Sequence, residues 1–237
     1  MHILEGLLPK TIYQGSTPFN KDIKVIQAWK TRKLIVDGLV QSCSIDSDYY
    51  KHKVWHELAK AIRANKPEVK NLLMLGTGAG TVVQIMNKKF KMNGINTILV
   101  EIDKEIVDIS RKYFDLDLIT NSRIIIADAN EVLQEPETYM INSSPECILV
   151  DTFMGDKYPV SVDSAQFLKN LFKLADNGTF IIFNRVFNKD GKGAGQFKHE
   201  LGIYMDKIET KVVKGSTTSQ NVVFYGYKST DKLPVPV

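Results

Sequence analysis

The chain has 237 residues, of which 43% are hydrophobic and 24% charged, and its 31 lysines and arginines exceed its 27 aspartates and glutamates by four. This length suits one α/β domain with a small appendage, and the composition is that of a globular protein with a substantial core. The sequence shows no apolar run long enough to span a membrane and no secretory signal segment. It also shows no cluster of lysines with interleaved aromatic residues. We therefore expect a cytoplasmic protein that binds neither membrane nor nucleic acid.

The first 50 residues are rich in short β patterns. Apolar side chains at Ile23 and Val25 alternate with polar ones, and a second apolar run at 34–36 ends in Asp37-Gly38, a typical turn pair. We predict a hairpin or three-stranded sheet that forms a small amino-terminal β domain over residues 1–50.

A helical pattern then leads into the remainder of the chain. Val54, Leu58 and Ile62 recur at helical spacing, which predicts a helix over 48–64 with Asp48 near its amino-terminal cap. His52 and His56 are four residues apart there, but neither their context nor the spacing of the two cysteines is that of a metal site. We expect no metal.

Residues 51–237 alternate apolar runs with helical patterns, which implies a parallel sheet covered by helices on both faces. The predicted strands are 71–75, 97–101, 123–127, 147–151 and 179–184, and the predicted helices are 80–91, 104–114, 129–134 and 163–175. Two further β-rich segments, 204–213 and 220–228, are expected to form an antiparallel pair at the edge, which makes seven strands in all.

The segment 72–103 is the most informative part of the chain. An apolar run is followed by Gly76-Thr77-Gly78-Ala79-Gly80, then by a helical pattern, and then by a second apolar run that ends in Glu101. Glycines in this turn allow a nucleoside to approach the backbone closely, and a carboxylate at the end of the second strand can accept both hydroxyls of a ribose. We predict a nucleoside site that includes Gly76, Gly78, Gly80 and Glu101.

A carboxylate stands at the end of each of three successive predicted strands: Glu101 and Asp151 are the last residues of theirs, and Asp128 follows directly after 123–127. The carboxyl ends of parallel strands lie at one edge of the sheet, where ligands bind in open α/β folds. Buried acids are costly unless they are paired, which favours a functional role. The alternative is that each acid caps the helix that follows it.

These motifs resemble a known family. The segments MLGTGAG, ILVEID, IIADANEVL, CILVDTFMGDKYP, AQFLKNL and NGTFIIFN, with STPFNKDIKV and KLIVDGLVQS before them, look like the spermidine synthase (polyamine aminopropyltransferase) family and its spermidine-synthase-like relatives. The resemblance covers about residues 12–227. It implies a Rossmann-like seven-stranded sheet of the methyltransferase type in a nucleoside-binding catalytic domain at 51–237, and it suggests a homodimer.

The resemblance also implies a donor and the residues that bind it. Glu101 would hold the ribose hydroxyls of decarboxylated S-adenosylmethionine, Asp128 and Ala129 would face the adenine, and Gln41 would line the pocket from the hairpin side. S-adenosylmethionine itself is the alternative ligand.

On the acceptor side, the resemblance implies aminopropyl transfer to a small amine such as putrescine. Asp151 matches the first acid of the family's D-S-S-D-P motif and would take a proton from the attacking amine, which is almost wholly protonated at neutral pH. The remaining substrate-binding candidates are His56, Glu57, Asp156 and Tyr158.

The chain departs from the family pattern at two acids. Ala79 stands where the family's glycine loop has an aspartate, and Met154 stands at the second acid of D-S-S-D-P. The loss of these acids favours the first alternative, a methyltransferase that uses S-adenosylmethionine on an unknown acceptor. Met74 disfavours it, because many methyltransferases have an acid at this position. The second alternative is a non-catalytic nucleoside-binding protein.

Overall fold

The computed structural model describes residues 8–153, 162, 164–215 and 219–230, which form a four-stranded and a seven-stranded sheet. The strands are β1 (Lys10–Gly15), β2 (Ile23–Ala28), β3 (Thr31–Val36), β4 (Leu39–Cys43), β5 (Asn71–Leu75), β6 (Asn96–Glu101), β7 (Ser122–Ile126), β8 (Cys147–Val150), β9 (Phe180–Asn188), β10 (Met205–Lys214) and β11 (Ser219–Lys228). The α-helices are α1 (Val54–Asn65), α2 (Thr81–Gln84), α3 (Lys104–Phe114), α4 (Ala129–Gln134), α5 (Ala165–Leu174) and α6 (Ala194–Leu201).

The amino-terminal sheet is an antiparallel meander in the order β1-β2-β3-β4. It has one strand more than the largest sheet that we predicted. Strand β4 lacks a clear apolar alternation and is half exposed, which explains why the sequence pattern did not reveal it. The predicted turn at Asp37-Gly38 joins β3 to β4, and both residues have the positive φ that a type I′ hairpin requires.

The larger sheet has the order β10-β11-β9-β8-β5-β6-β7, with β5 to β9 parallel and β10 and β11 antiparallel at one edge. This confirms the predicted Rossmann-like α/β fold with seven strands. The chain runs outward from β5 to β7 and then crosses back to β8, so the direction of strand order reverses between β5 and β8. Open α/β sheets bind ligands at such a reversal.

Several observed elements differ in detail from the predicted ones. The segment Asp48–His52 is a 3₁₀ turn capped by Ser47, and α1 begins only at Val54, so Asp48 does not cap the α-helix. Helix α2 is short and continues as a π-helical turn at Ile85–Lys89. Helix α6 was not predicted. Helices α3 and α4 have the predicted bounds.

Apolar side chains cover both faces of the larger sheet, as expected for strands that are buried on both sides. A third buried cluster joins the two sheets through α3 and consists of Ile23, Val25, Leu34, Val36, Ala79, Ile106, Ile109 and Phe114. The amino-terminal sheet therefore shares a core with the rest of the chain, and the division into domains at 1–50 and 51–237 stays a prediction. Within the described ranges, none of the helices combines the length and the apolar character needed to cross a membrane.

Polar contacts also connect the amino-terminal region to the glycine turn after β5 and to Asp103, which follows β6. Ser42 Oγ accepts the backbone N–H of Ala79 at 2.9 Å. Thr17 Oγ1 and Asn20 Nδ2 both donate to Asp103 Oδ2, at 2.6 and 2.7 Å. Asp103 is buried, so these two hydrogen bonds compensate for the cost of removing its carboxylate from water.

Candidate active site

A cavity of about 950 Å³ opens at the carboxyl ends of β5 to β8, between the larger sheet and the amino-terminal sheet. Its position at the reversal between β5 and β8 is the place where open α/β sheets bind ligands. The predicted site residues that line it are Gln41, Gly76, Gly78, Glu101, Asp128, Ala129 and Asp151.

The glycines of the turn after β5 are required by close contacts. Gly76 has φ of +87°, and a Cβ atom there would lie 2.2 Å from the backbone oxygen of Asp151. Gly78 has φ of +50°, and its Cβ would lie 2.6 Å from Ser42 Oγ. Gly80 also has positive φ, but its Cβ would meet Leu116, so this residue packs behind the turn instead of lining the cavity.

Glu101 joins the glycine turn to the end of β6. Its Oε2 accepts the backbone N–H groups of Thr77 and Gly78 at 3.2 and 3.0 Å, and its Oε1 accepts that of Asp103 at 3.2 Å. Burial raises the pKa of Glu101, and these three hydrogen bonds act in the opposite direction. The carboxylate is therefore held in one orientation at the cavity wall, where ribose hydroxyls could donate to it.

Asp128 caps the helix that follows it and also lies on the cavity wall. Its Oδ1 accepts the backbone N–H of Asn130 at 2.7 Å, so it caps α4, and together with Ala129 it also lines the cavity. Asp151 does not cap the next described helix, because α5 begins at Ala165 and is capped by Ser164.

Asp151 lies at the end of β8, where its neighbour is Asn184 of β9. Asn184 Nδ2 donates to Asp151 Oδ1 at 2.7 Å. Burial raises the pKa of Asp151 to about 6, and the hydrogen bond from Asn184 opposes this shift. A carboxylate with this pKa is ionised at neutral pH and basic enough to accept a proton from a reacting group.

Two buried oxygen atoms beside Asp151 have no hydrogen-bond partner among the described residues. They are Oδ1 of Asn184 and Oγ1 of Thr152, and the two residues as a whole are 1% and 9% exposed. Both residues line the cavity. Unsatisfied buried polar atoms are costly, so a ligand with N–H or O–H groups would relieve this cost. Asn184 was not among the predicted site residues, although it stands at the end of a predicted strand, 179–184, as the three carboxylates stand at the ends of theirs.

The remaining predicted substrate residues do not join this group. His56 and Glu57 are not among the residues that line the cavity. The His56 ring nitrogen Nδ1 is 3.0 Å from the Lys51 carbonyl oxygen, and Glu57 pairs with Lys60 at 3.1 Å. The 3₁₀ turn before α1 brings His52, not His56, to the cavity wall.

Asp156 and Tyr158 lie outside the described residues, and so does Met154. No cluster of three or more potential metal ligands occurs in the part of the chain that the structure describes.

Comparisons with curated proteins point to one group of enzymes. The chain is 28% identical over 179 residues to polyamine aminopropyltransferase 1 of Aquifex aeolicus, which covers 73% of this chain and 59% of that protein. It is 24% identical over 225 residues to spermidine synthase 2 of Arabidopsis thaliana, which covers 95% of this chain and 61% of that protein. The chain thus spans about 60% of the length of these two relatives. No family model matches the chain.

Solved structures support the fold. A probable spermidine synthase from Corynebacterium glutamicum superposes with a TM-score of 0.61 at 18% identity, covering 92% of this chain and 78% of that one. Human methyltransferase-like protein 13 in complex with SAH superposes with a TM-score of 0.56 at 16% identity, covering 80% and 86%. The protein is therefore similar in sequence to the polyamine aminopropyltransferases and has the fold that a probable spermidine synthase shares with a methyltransferase-like protein in complex with SAH.

Proposed function

We propose that this protein is a spermidine-synthase-like transferase that moves an aminopropyl group from decarboxylated S-adenosylmethionine to a small primary amine, for which putrescine is the reference acceptor. The observation that carries the proposal is a buried carboxylate, Asp151, in the same cavity as the glycine turn and Glu101. The relatives named polyamine aminopropyltransferase support the same reaction.

The donor would occupy the half of the cavity at β5 to β7. The backbone at Gly76 and Gly78 would approach the nucleoside, and Glu101 would accept the ribose hydroxyls. Asp128 and Ala129 would face the adenine, while Gln41 would cover the donor from the amino-terminal sheet. All of these residues line the cavity. Gly80 would act indirectly, by shaping the turn.

The acceptor would bind at Asp151. The ammonium group of the acceptor can donate hydrogen bonds to the Asp151 carboxylate and to the unsatisfied oxygens of Asn184 and Thr152. Loss of one proton to Asp151 frees the nitrogen lone pair, which attacks the methylene carbon bonded to the sulfonium. The new C–N bond forms as the C–S bond breaks, and methylthioadenosine leaves with the electron pair. Such a displacement depends mainly on holding the two reactants in line.

Further parts of the proposal rest on the sequence. By the resemblance, Asp156 and Tyr158 would contact the acceptor and the protein would be a homodimer. By composition and residue spacing, the protein would be cytoplasmic and the reaction would need no metal. His56 and Glu57 have no part in the proposal, because they do not line the cavity.

The test is to incubate the protein with decarboxylated S-adenosylmethionine and putrescine and to measure methylthioadenosine. We expect its formation to depend on protein and amine, and to be lost in Asp151→Asn. Calorimetric titration with methylthioadenosine and with S-adenosylhomocysteine separates the alternatives. Preferred binding of S-adenosylhomocysteine, with no methylthioadenosine formed, would indicate a methyltransferase. Binding of methylthioadenosine without any turnover would indicate a non-catalytic nucleoside-binding protein.

A further inference from the structure

The charge of the cavity wall changes sign along the edge of the larger sheet. The ends of β6, β7 and β8 contribute the carboxylates Glu101, Asp128 and Asp151. Beyond β8, the wall consists of residues of β9, β10 and β11 and of the segments that follow β9 and β10, and we call it the acceptor wall. Its charged members are Lys192 and Lys214, and none of its described residues is a carboxylate.

The strand register explains how these lysines come to the same edge. Asn188 at the end of β9 pairs with Ser219 at the start of β11, and the next residue of β11, Gln220, pairs with Lys214 at the end of β10. Lys192 follows four residues after Asn188. Both lysines therefore lie at the carboxyl edge of the sheet that also bears Asp151.

The described structure offers these lysines little compensating charge. Lys214 forms no ion pair with a described residue. Lys192 Nζ is 4.0 Å from the Asp190 carboxylate, and both side chains are exposed, so this pair is weak. Asp190 itself does not line the cavity. From the opposite side, Lys53 adds a further cation to the described lining.

A diamine is poorly matched to this arrangement. Its reacting nitrogen would bind at Asp151, Asn184 and Thr152, and its second ammonium group would then extend toward the acceptor wall. Like charges repel there, whereas an anionic group would be attracted to the lysines. The amides of Asn188 and Asn221 on the same wall could donate hydrogen bonds to it.

We propose that the acceptor is a primary amine whose far end carries a carboxylate, that is, an amino acid with a terminal amino group, and not a diamine. This inference rests on the proposed aminopropyl transfer. The bonds made and broken are the same: the acceptor nitrogen forms the C–N bond, methylthioadenosine leaves, and Asp151 receives the proton. The product keeps the carboxylate and gains a secondary amine.

The test compares three acceptors with a four-carbon chain, namely 4-aminobutyrate, putrescine and butylamine, at saturating decarboxylated S-adenosylmethionine. Methylthioadenosine release gives kcat/KM for each. We expect 4-aminobutyrate to exceed putrescine at least ten-fold, with butylamine between them. The double variant Lys192→Glu/Lys214→Glu should reverse this order. Lys189→Glu is the matched control, because this exposed lysine is near Lys192 in sequence but does not line the cavity.

The outcomes separate the two proposals. If putrescine is the best acceptor of the unaltered protein, the inference is wrong and aminopropyl transfer stands. If the double variant keeps the original order of acceptors, the lysines do not select the acceptor and the inference is equally wrong. If none of the three amines yields methylthioadenosine although the protein binds this nucleoside, aminopropyl transfer is overturned and the inference is overturned with it.

Discussion

Asn184 Nδ2 donates a 2.7 Å hydrogen bond to Asp151 Oδ1, although the two residues are 33 positions apart in the sequence. The contact arises because β8 and β9 are parallel neighbours with Val150 beside Phe183, so the residue after each of these two lies at the same level. Asn184 thereby orients the proposed base and leaves its own Oδ1 for a ligand.

Replacement of Asp151 by Asn should greatly reduce turnover without preventing folding. We expect kcat to fall by about 100- to 10,000-fold, the usual contribution of a general base, while the affinity for methylthioadenosine stays within two-fold of the original, roughly the limit of a calorimetric comparison. The neutral amide also avoids burying a charge, so the free energy of unfolding at pH 7 should not decrease. Turnover near the original rate in a folded Asp151→Asn protein would exclude Asp151 as the base.

The activity should depend on the protonation of Asp151. Because burial raises its pKa to about 6, the carboxylate becomes protonated as the pH falls through this value and can no longer accept a proton. We expect kcat/KM to decrease below about pH 6, measured with the acceptor concentration corrected for its own ionisation. A constant kcat/KM down to pH 4.5 would contradict this assignment.

Asn184→Ala should shift the acidic limb of the pH profile of kcat/KM to higher pH. The hydrogen bond from Asn184 stabilises the ionised form of Asp151, so its loss raises the pKa of the carboxyl group further. A role in folding alone would lower the activity without moving the limb. The control is Asn93→Ala, an exposed residue that does not line the cavity, which should leave the profile unchanged.

Glu101→Ala should weaken nucleoside binding by about 1.5–3 kcal/mol, the range for the loss of charge-assisted hydrogen bonds. The measurement is calorimetric titration with methylthioadenosine. Asp108→Ala is a suitable control, since this acid of α3 pairs with Lys104 and does not line the cavity. If the folded Glu101 variant binds as tightly as the control, the ribose assignment fails.

A comparison of Gly76→Ala with Gly94→Ala distinguishes the stability cost of a close contact from the cost of backbone strain. Both glycines have positive φ, +87° and +74°, so alanine costs about 1–2 kcal/mol of conformational energy at either position. At Gly94 a Cβ meets nothing within 4 Å, whereas at Gly76 it would lie 2.2 Å from the backbone oxygen of Asp151. Urea unfolding should therefore show a larger loss of stability for Gly76→Ala, and comparable losses would refute the contact.

The sequence predicted the order of elements well because its signals are local. Helices α3 and α4 have the bounds that the helical pattern predicts, and in the structure Asp103 and Asp128 cap them. Strand β4 and helix α6 escaped prediction, since β4 is half exposed and α6 has a weak apolar pattern. The placement of acids at strand ends also follows from local pattern together with the general rule for parallel sheets.

What the sequence by itself determined is therefore the Rossmann-like fold, the glycine turn and the acids at the ends of β6, β7 and β8. The tertiary structure decided which side chains share the cavity. A 3₁₀ turn before α1, not a continuous helix, brings His52 to the wall and leaves His56 off it. The Asn184–Asp151 bond and the gathering of Lys192 and Lys214 depend on which strands are neighbours and in what register. Pairings between distant segments are set by the packing of the whole sheet, and no local period in the chain encodes them.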